Sequence, residues 1–233
     1  MRVVACLLLV GCGRIGFGIA SDPGAGGDAA HPGDGVGDPQ GAGDAGPCTS
    51  LSQLTYNFDG SADALWMPYQ DPGLTVTETG NHLVITLASN MTGTAGYFSS
   101  CTYDLHGQRV FVTSPVVPRL GTRTDMYFAV GSQADAFGVN VTSGSTEAYR
   151  INGANYMRFA SVPYDATQHK VWQVREAGGT VFWEVSPDGT SFTTLFSGPP
   201  PIDISAVQLL LFADALTPIS NPGSAEFAKL NLP

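Results

Sequence analysis

Charge is scarce in this chain. Only 13% of its 233 residues are Asp, Glu, Lys or Arg, and just ten are basic. Those ten are scattered singly, which excludes a phosphate-tracking nucleic-acid surface, since that needs clustered Lys and Arg. The resulting net charge of −10 serves solubility and does not by itself select a partner. No apolar run approaches the ~20 residues of a spanning helix; the opening run, residues 3–10, has eight. Cysteine is limited to four residues with no CxxC spacing, which removes a thioredoxin-type redox pair. No window carries a sustained 3.6-residue apolar stripe with caps, so a helical domain is excluded. The chain is instead rich in Gly (29) and Pro (16), with abundant Thr and Ser, the makings of a sheet protein.

The front of the chain reads as an address. Residues 1–12 are MRVVACLLLVGC, with Arg2 as a positive n-region and 3–10 as a short apolar core, the layout of a secretory signal. The run closes on Leu9-Val10-Gly11-Cys12, which resembles the bacterial lipobox. That resemblance implies cleavage before Cys12 and acylation of its sulfur, giving a membrane partner through a lipid anchor. Each buried methylene of such an anchor contributes roughly 0.8 kcal/mol. Gly13 rather than Asp after the anchor favours the outer membrane of the cell envelope. The letters Gly11-Cys12-Gly13-Arg14-Ile15-Gly16 satisfy GxGxxG, but no strand precedes and no helix follows, so a dinucleotide site is rejected.

Residues 13–47 hold twelve Gly, four Pro and five Asp. Such a composition cannot bury enough surface to offset ordering and is expected to act as a flexible tether reaching ~30–35 Å. Its Asp residues are too widely spaced for a calcium loop. The folding domain is then 48–233. If Cys6 leaves with the leader and Cys12 carries lipid, Cys48 and Cys101 remain. In an exported domain that pair reads as a disulfide, with two free thiols as the alternative. The bond would close a loop of about 50 residues, worth ~4 kcal/mol in the chain-entropy model.

Beyond Cys48, period-2 segments alternate with turn signals. Strands are expected at 54–58, 74–78, 82–88, 96–105, 109–117, 125–130, 137–142, 148–152, 157–162, 169–176, 180–186, 192–197, 207–213 and 225–232. This many short strands predicts an all-β, two-sheet antiparallel sandwich. The clearest stretch is 169–197, where Gly178-Gly179 and Asp188-Gly189 supply the turns of a three-strand meander. Trp172 and Trp183 are its candidate cross-strand aromatics.

The string HKVWQVREAGGTVFWEVSPDGTSFTTL, residues 169–195, resembles the central meander of concanavalin A-like lectin/glucanase jelly rolls, more narrowly the laminin-G-like and DUF1349-type bacterial domains. The closing run from Val207 and the opening Phe58-Asp59-Gly60 with Trp66 match that family's outer strands loosely. Phe192 stands where Trp is usual and Gln173 where Arg is common. The resemblance implies the jelly-roll fold and scarcely touches activity.

No assembled catalytic string is present. Glucanases of this fold carry an E-x-D-x-x-E strand that sets two carboxylates ~5–5.5 Å apart, and nothing here matches; Glu184 reads as a solvent-facing strand residue. GxSxG is missing. His82, His106 and His169 show no i,i+4 or carboxylate partners in the sequence, so an HExxH-type zinc site is out. No cofactor is required, although a structural calcium site built from distant loops stays open. Residues 186–192 are one residue short of a sialidase Asp-box and read as an Asp-Gly hairpin. The densest aromatic-amide-guanidinium run is Tyr149, Arg150, Asn152, Tyr156 and Arg158, the residue types that stack on sugar rings and read hydroxyls; ordinary edge-strand exposure is the alternative. The leading expectation is therefore a tethered, non-catalytic domain that binds a polysaccharide, glycan or other envelope partner. A divergent glycoside hydrolase or lyase is the second reading and requires two buried carboxylates from separate strands facing each other, one with a raised pKa. A structural or adhesive envelope protein is the third.

Overall fold

The computed structural model describes residues 50–60, 64–120 and 123–232. Its elements are a short 3₁₀ turn, Leu51–Gln53, and fourteen strands: β1 (Trp66–Gln70), β2 (Thr75–Thr79), β3 (His82–Thr86), β4 (Gly93–Ser99), β5 (Arg109–Val116), β6 (Thr124–Gly131), β7 (Asp135–Thr142), β8 (Ser145–Asn152), β9 (Asn155–Pro163), β10 (Val171–Ala177), β11 (Thr180–Ser186), β12 (Thr193–Gly198), β13 (Gln208–Ala215) and β14 (Ser224–Leu230). They form two seven-stranded sheets, ordered β12-β11-β10-β5-β14-β3-β2 and β1-β4-β13-β6-β7-β8-β9, antiparallel throughout. The expected all-β sandwich is the observed architecture.

Alternation along each strand sorts side chains to the two faces. Leu83 and Ile85, Val110 and Val112, Trp172 and Val174, and Val181 and Trp183 come from the first sheet. They meet Met126 and Phe128, Phe137 and Val139, and Leu209 and Leu211 from the second, all buried in one core. Trp172 and Trp183 are fully buried. They are diagonal neighbours rather than opposite one another, because Trp172 faces Val185 and Trp183 faces Val174. Each serves a different part of the core: Trp172 sets its edge on Phe227, while Trp183 packs on Phe137, Phe159 and Phe196.

Two elements differ from the sequence expectation. Residues 54–58 contribute a lone bridge, Tyr56 to Leu230, instead of a strand. The strand β1 has no counterpart in the period-2 pattern because Pro68 sits in its middle. A prolyl residue cannot donate to a ladder, so it is tolerated at an edge, and β1 is an edge strand. Between β10 and β11, Gly178 and Gly179 adopt φ of 61° and 82°, the positive values a two-residue hairpin turn demands. Cys101 is buried and carries no free thiol. Its expected partner Cys48, the leader, Cys12 and the tether lie outside the described residues.

Candidate active site

In a sandwich the outward faces are normally polar and solvated. The second sheet departs from this. Its outward face carries a second apolar cluster of Phe98, Ala129, Ala136, Tyr149, Leu210 and Phe212, with Tyr69, Tyr127 and Ile151 packed against it. Six rings form a chain of contacts from the β1 edge to β9. Tyr69 lies 6.2 Å from Phe98, and Phe98 lies 4.5 Å from Phe212. Phe212 stacks on Tyr127 at 5.6 Å, Tyr127 meets Tyr149 at 6.2 Å, and Tyr149 stacks on Tyr156 at 5.5 Å.

Two carboxylic acids interrupt this face. Asp125 on β6 and Asp214 on β13 are register partners, directly opposite across adjacent strands. Each lies two residues from a stacked ring of its own strand, Tyr127 and Phe212, so acids and rings share one face. Directly opposite residues of an antiparallel pair place their Cβ atoms ~4.5–5.5 Å apart. Asp214 is buried, and burial first, then the neighbouring Asp125, holds its pKa well above the ordinary carboxylate range. Asp125 is half-buried; burial pushes it up to about 6, opposed by a hydrogen bond from Thr142, with Glu147 adding to the rise. One carboxylate oxygen of each acid, and the side-chain oxygen of Asn140, are buried without a donor. Such acceptors cost free energy until a donor arrives.

The sequence-derived candidates surround this pair unevenly. Tyr149 is buried in the ring chain. Tyr156 is 47% exposed and donates its hydroxyl to Glu147 at 2.6 Å, while accepting from Asn140 Nδ2 at 3.0 Å. Arg158 donates to the other oxygen of Glu147 at 3.0 Å, and Ser161 joins it at 3.2 Å. Arg150 and Asn152 are directed elsewhere: both donate to Asp135, the guanidinium through two bonds of 2.9 and 2.8 Å. The face thus brings together Tyr149, Tyr156 and Arg158 and leaves Arg150 and Asn152 at the open end of the β7–β8 pair, beside the β8–β9 turn.

Other expectations change. Glu184 is not solvent-facing. It is 4% exposed and accepts from Gln173, Arg175 and Thr194. Burial works against its charge, but the Arg175 and Gln173 hydrogen bonds prevail and lower its pKa. His82 and His106 do have carboxylate partners, Glu226 at 2.7 Å and Asp104 at 2.6 Å; His169 is buried against the Thr146 hydroxyl. Residues 186–191 form an Asp-capped turn in which the Asp188 carboxylate accepts from the backbone N–H of Thr190 and Ser191. Among the described residues no three His, Cys, Asp or Glu side chains gather as a metal site.

Asp125 and Asp214 were missed at the sequence level because they are 89 positions apart and match no local string. One signal was present. In QLLLFADA, residues 208–215, an acid breaks a run that is apolar on both faces, and a buried acid needs a reason to be there.

No protein-family model matches the sequence, and no curated protein matches it. Solved structures do share the fold. A β-glucanase from Bacillus licheniformis aligns with a TM-score of 0.57 at 12% identity, over 76% of this chain and 95% of its own. A laminarinase from Flavobacterium sp. UMI-01 gives 0.58 at 10%, over 76% and 97%. A non-specific endo-β-1,3(4)-glucanase from family GH16 gives 0.57 at 10%, over 76% and 88%. The expectation of a domain that is not an enzyme is corrected by this finding: these three solved structures of the same fold are glucanases. These likenesses do not extend to the narrower laminin-G-like or DUF1349-type reading. At this level of identity the likeness establishes architecture: the chain has the concanavalin A-like jelly-roll fold that β-glucanases use.

Proposed function

We propose that this domain is a divergent glycoside hydrolase that cleaves a polysaccharide at Asp125 and Asp214. The observation that carries the reading is the placement of two carboxylates directly opposite each other on β6 and β13, in different degrees of burial, on a face paved with aromatic rings. Retaining hydrolysis needs two carboxyl groups ~5–5.5 Å apart, one protonated and one ionised. Mutual repulsion and burial let the pair keep one proton at neutral pH, and Asp214, the more buried partner, holds it. Asp214 donates that proton to the glycosidic oxygen as the C–O bond breaks. Asp125, ionised above about pH 6, attacks the anomeric carbon and forms a glycosyl ester. Water then attacks that carbon, giving its proton to Asp214 and releasing the Asp125 carboxylate. Tyr127 and Tyr156, the more exposed rings of the chain, offer apolar faces for sugar C–H groups, and the unpaired Asn140 oxygen accepts a sugar hydroxyl.

The test is release of reducing ends from a panel of polysaccharides by the full-length chain, beside the near-isosteric Asp125→Asn and Asp214→Asn. We expect each substitution to lower turnover by on the order of 10³-fold or more with cooperative unfolding retained. Turnover at the native level in either variant, or no hydrolysis of any polysaccharide by the unmodified chain, overturns the reading.

The lipobox string supports a second, separate element of the proposal: acylation at Cys12 holds the enzyme at a membrane of the cell envelope, the 13–47 segment spaces it from that surface, and a Cys48–Cys101 disulfide closes the start of the domain. Mass spectrometry of the membrane fraction, with and without Cys12→Ala, tests the anchor; an unacylated Cys12 refutes it.

A further inference from the structure

The two acids stand in a longer row. Thr94 on β4 is the register partner of Asp214, Asp214 is that of Asp125, and Asp125 is that of Thr142 on β7. Directly opposite residues share a face, so four adjacent strands present threonine, acid, acid, threonine in line. Each hydroxyl lies on the outer side of its acid. Thr94 hydrogen-bonds Asp214, and Thr142 hydrogen-bonds Asp125. An ionised carboxylate can only accept, so in each bond the threonine hydroxyl donates.

The backbone fixes both threonines. The Thr94 N–H donates to the Asp71 carboxylate at 2.8 Å, and the Asp71 N–H donates to the Thr94 carbonyl at 3.0 Å. The Tyr69 hydroxyl secures the other Asp71 oxygen at 2.9 Å. Thr142 ends β7 against a two-residue turn, Ser143 and Gly144, with φ of 47° and 86°, the positive pair of a tight hairpin. One oxygen of each acid is buried without a donor. With the outer oxygens engaged by threonine, these free oxygens are left on the inner side, where the two carboxyl groups meet. Two carboxylates sharing a site do not both ionise readily.

We infer that Thr94 and Thr142 are positioning residues, which hold the outer oxygens of Asp214 and Asp125 and turn the free oxygens towards each other, so that the pair keeps one proton. The purpose of this clamp rests on the hydrolase reading, which needs one acid protonated and its neighbour ionised. Neither threonine has to touch substrate. The other charges around the pair are unequal: Arg123 favours ionised Asp125 and Glu147 opposes it, whereas Asp71 and Asp125 both oppose ionisation of Asp214. Tyr69, Tyr127 and Tyr149 on the same face are raised further by burial and carry no charge at neutral pH.

The experiment titrates the aspartate carboxyl carbons of the full-length chain by NMR, and follows polysaccharide hydrolysis over the same pH range. The proteins are the native chain, Thr142→Val, Thr142→Ser, Thr94→Val and Asp125→Asn. Thr142→Val loses a hydrogen bond to the charged form, so the Asp125 midpoint should rise by about one pH unit, and the acidic limb of kcat/KM should move with it. Thr142→Ser keeps the hydroxyl and should stay near the native midpoint. Thr94→Val should hold the proton on Asp214 to higher pH and move the alkaline limb instead. Asp125→Asn removes the facing carboxylate and should lower the Asp214 midpoint. An Asp125 midpoint unmoved by Thr142→Val, an equal shift in Thr142→Ser, or an Asp214 midpoint unmoved in Asp125→Asn overturns the inference, whatever the activity. Midpoints that move as expected in a chain that hydrolyses no polysaccharide support the clamp and overturn the hydrolase reading. Both threonines are half-buried, and matched unfolding curves check that each variant folds.

Discussion

Replacing Asp125 by Asn should stabilise the protein at neutral and alkaline pH while abolishing the proposed activity. Asp125 is raised from 3.8 to about 6 by burial, with Glu147 contributing. In the unfolded chain it ionises near 3.8, so between those two values the folded state holds a proton that the unfolded state has lost. Stability therefore falls as pH rises through this window. A rise from 3.8 to about 6 corresponds to about 3 kcal/mol, fully present below pH 3.8 and lost above pH 6. Asparagine has nearly the same shape and no charge to bury. Relative to the native chain, Asp125→Asn should gain little at pH 4 and about 3 kcal/mol at pH 8, which for a domain of this size is ~6–12 °C in Tm. The measurement is urea unfolding of both proteins at pH 4, 6 and 8. The difference between the two cancels groups such as Asp188, which backbone N–H bonds hold at about 2, and whose contribution is instead lost in acid. Equal destabilisation by Asp125→Asn at pH 4 and pH 8 would refute the reasoning, as would a gain confined to acid. Stabilisation bought at the expense of activity is the expected signature of acids kept for chemistry rather than for the fold.

Three further outcomes follow from the same structure. The pH dependence of kcat/KM for polysaccharide hydrolysis should rise through about pH 6 as Asp125 ionises and fall at higher pH as Asp214 loses the proton that burial lets it keep; a flat profile from pH 5 to 9 contradicts it. Trp183→Ala removes a fully buried ring that packs on Phe137, Phe159 and Phe196 and should cost about 3–5 kcal/mol in denaturant unfolding. Gly138→Ala should cost about 3 kcal/mol or more, or prevent folding, because a Cβ there would lie 2.0 Å from the Phe128 carbonyl oxygen of β6; a soluble variant with native stability would show that the strands can separate at no cost.

Strands with a clean period of two were legible, and β11 spans 180–186 in both readings. β1 was hidden by Pro68, whose tolerance depends on whether a neighbour pairs on that side of the strand. Glu184 alternates correctly for an outward position, yet its neighbours on β10 and β12 bury it, and no spacing within one strand reveals that. Tyr156 and Arg158 were identifiable as a polar-aromatic pair, but their shared partner Glu147 comes from the adjoining strand.

Residue order and composition determined the fold class, because alternation and Gly-rich turns leave a chain of this length few ways to bury its apolar side chains other than two stacked sheets. They also carry the Gly-, Pro- and Asp-rich composition of 13–47 and the Leu9-Val10-Gly11-Cys12 string, which are local by nature. Only the tertiary structure decided where the acids meet. Sheet order joins β13 to β6 across more than 75 intervening residues, and that non-local pairing sets Asp214 opposite Asp125 and raises both above their ordinary pKa range, which makes two distant aspartates the candidate site.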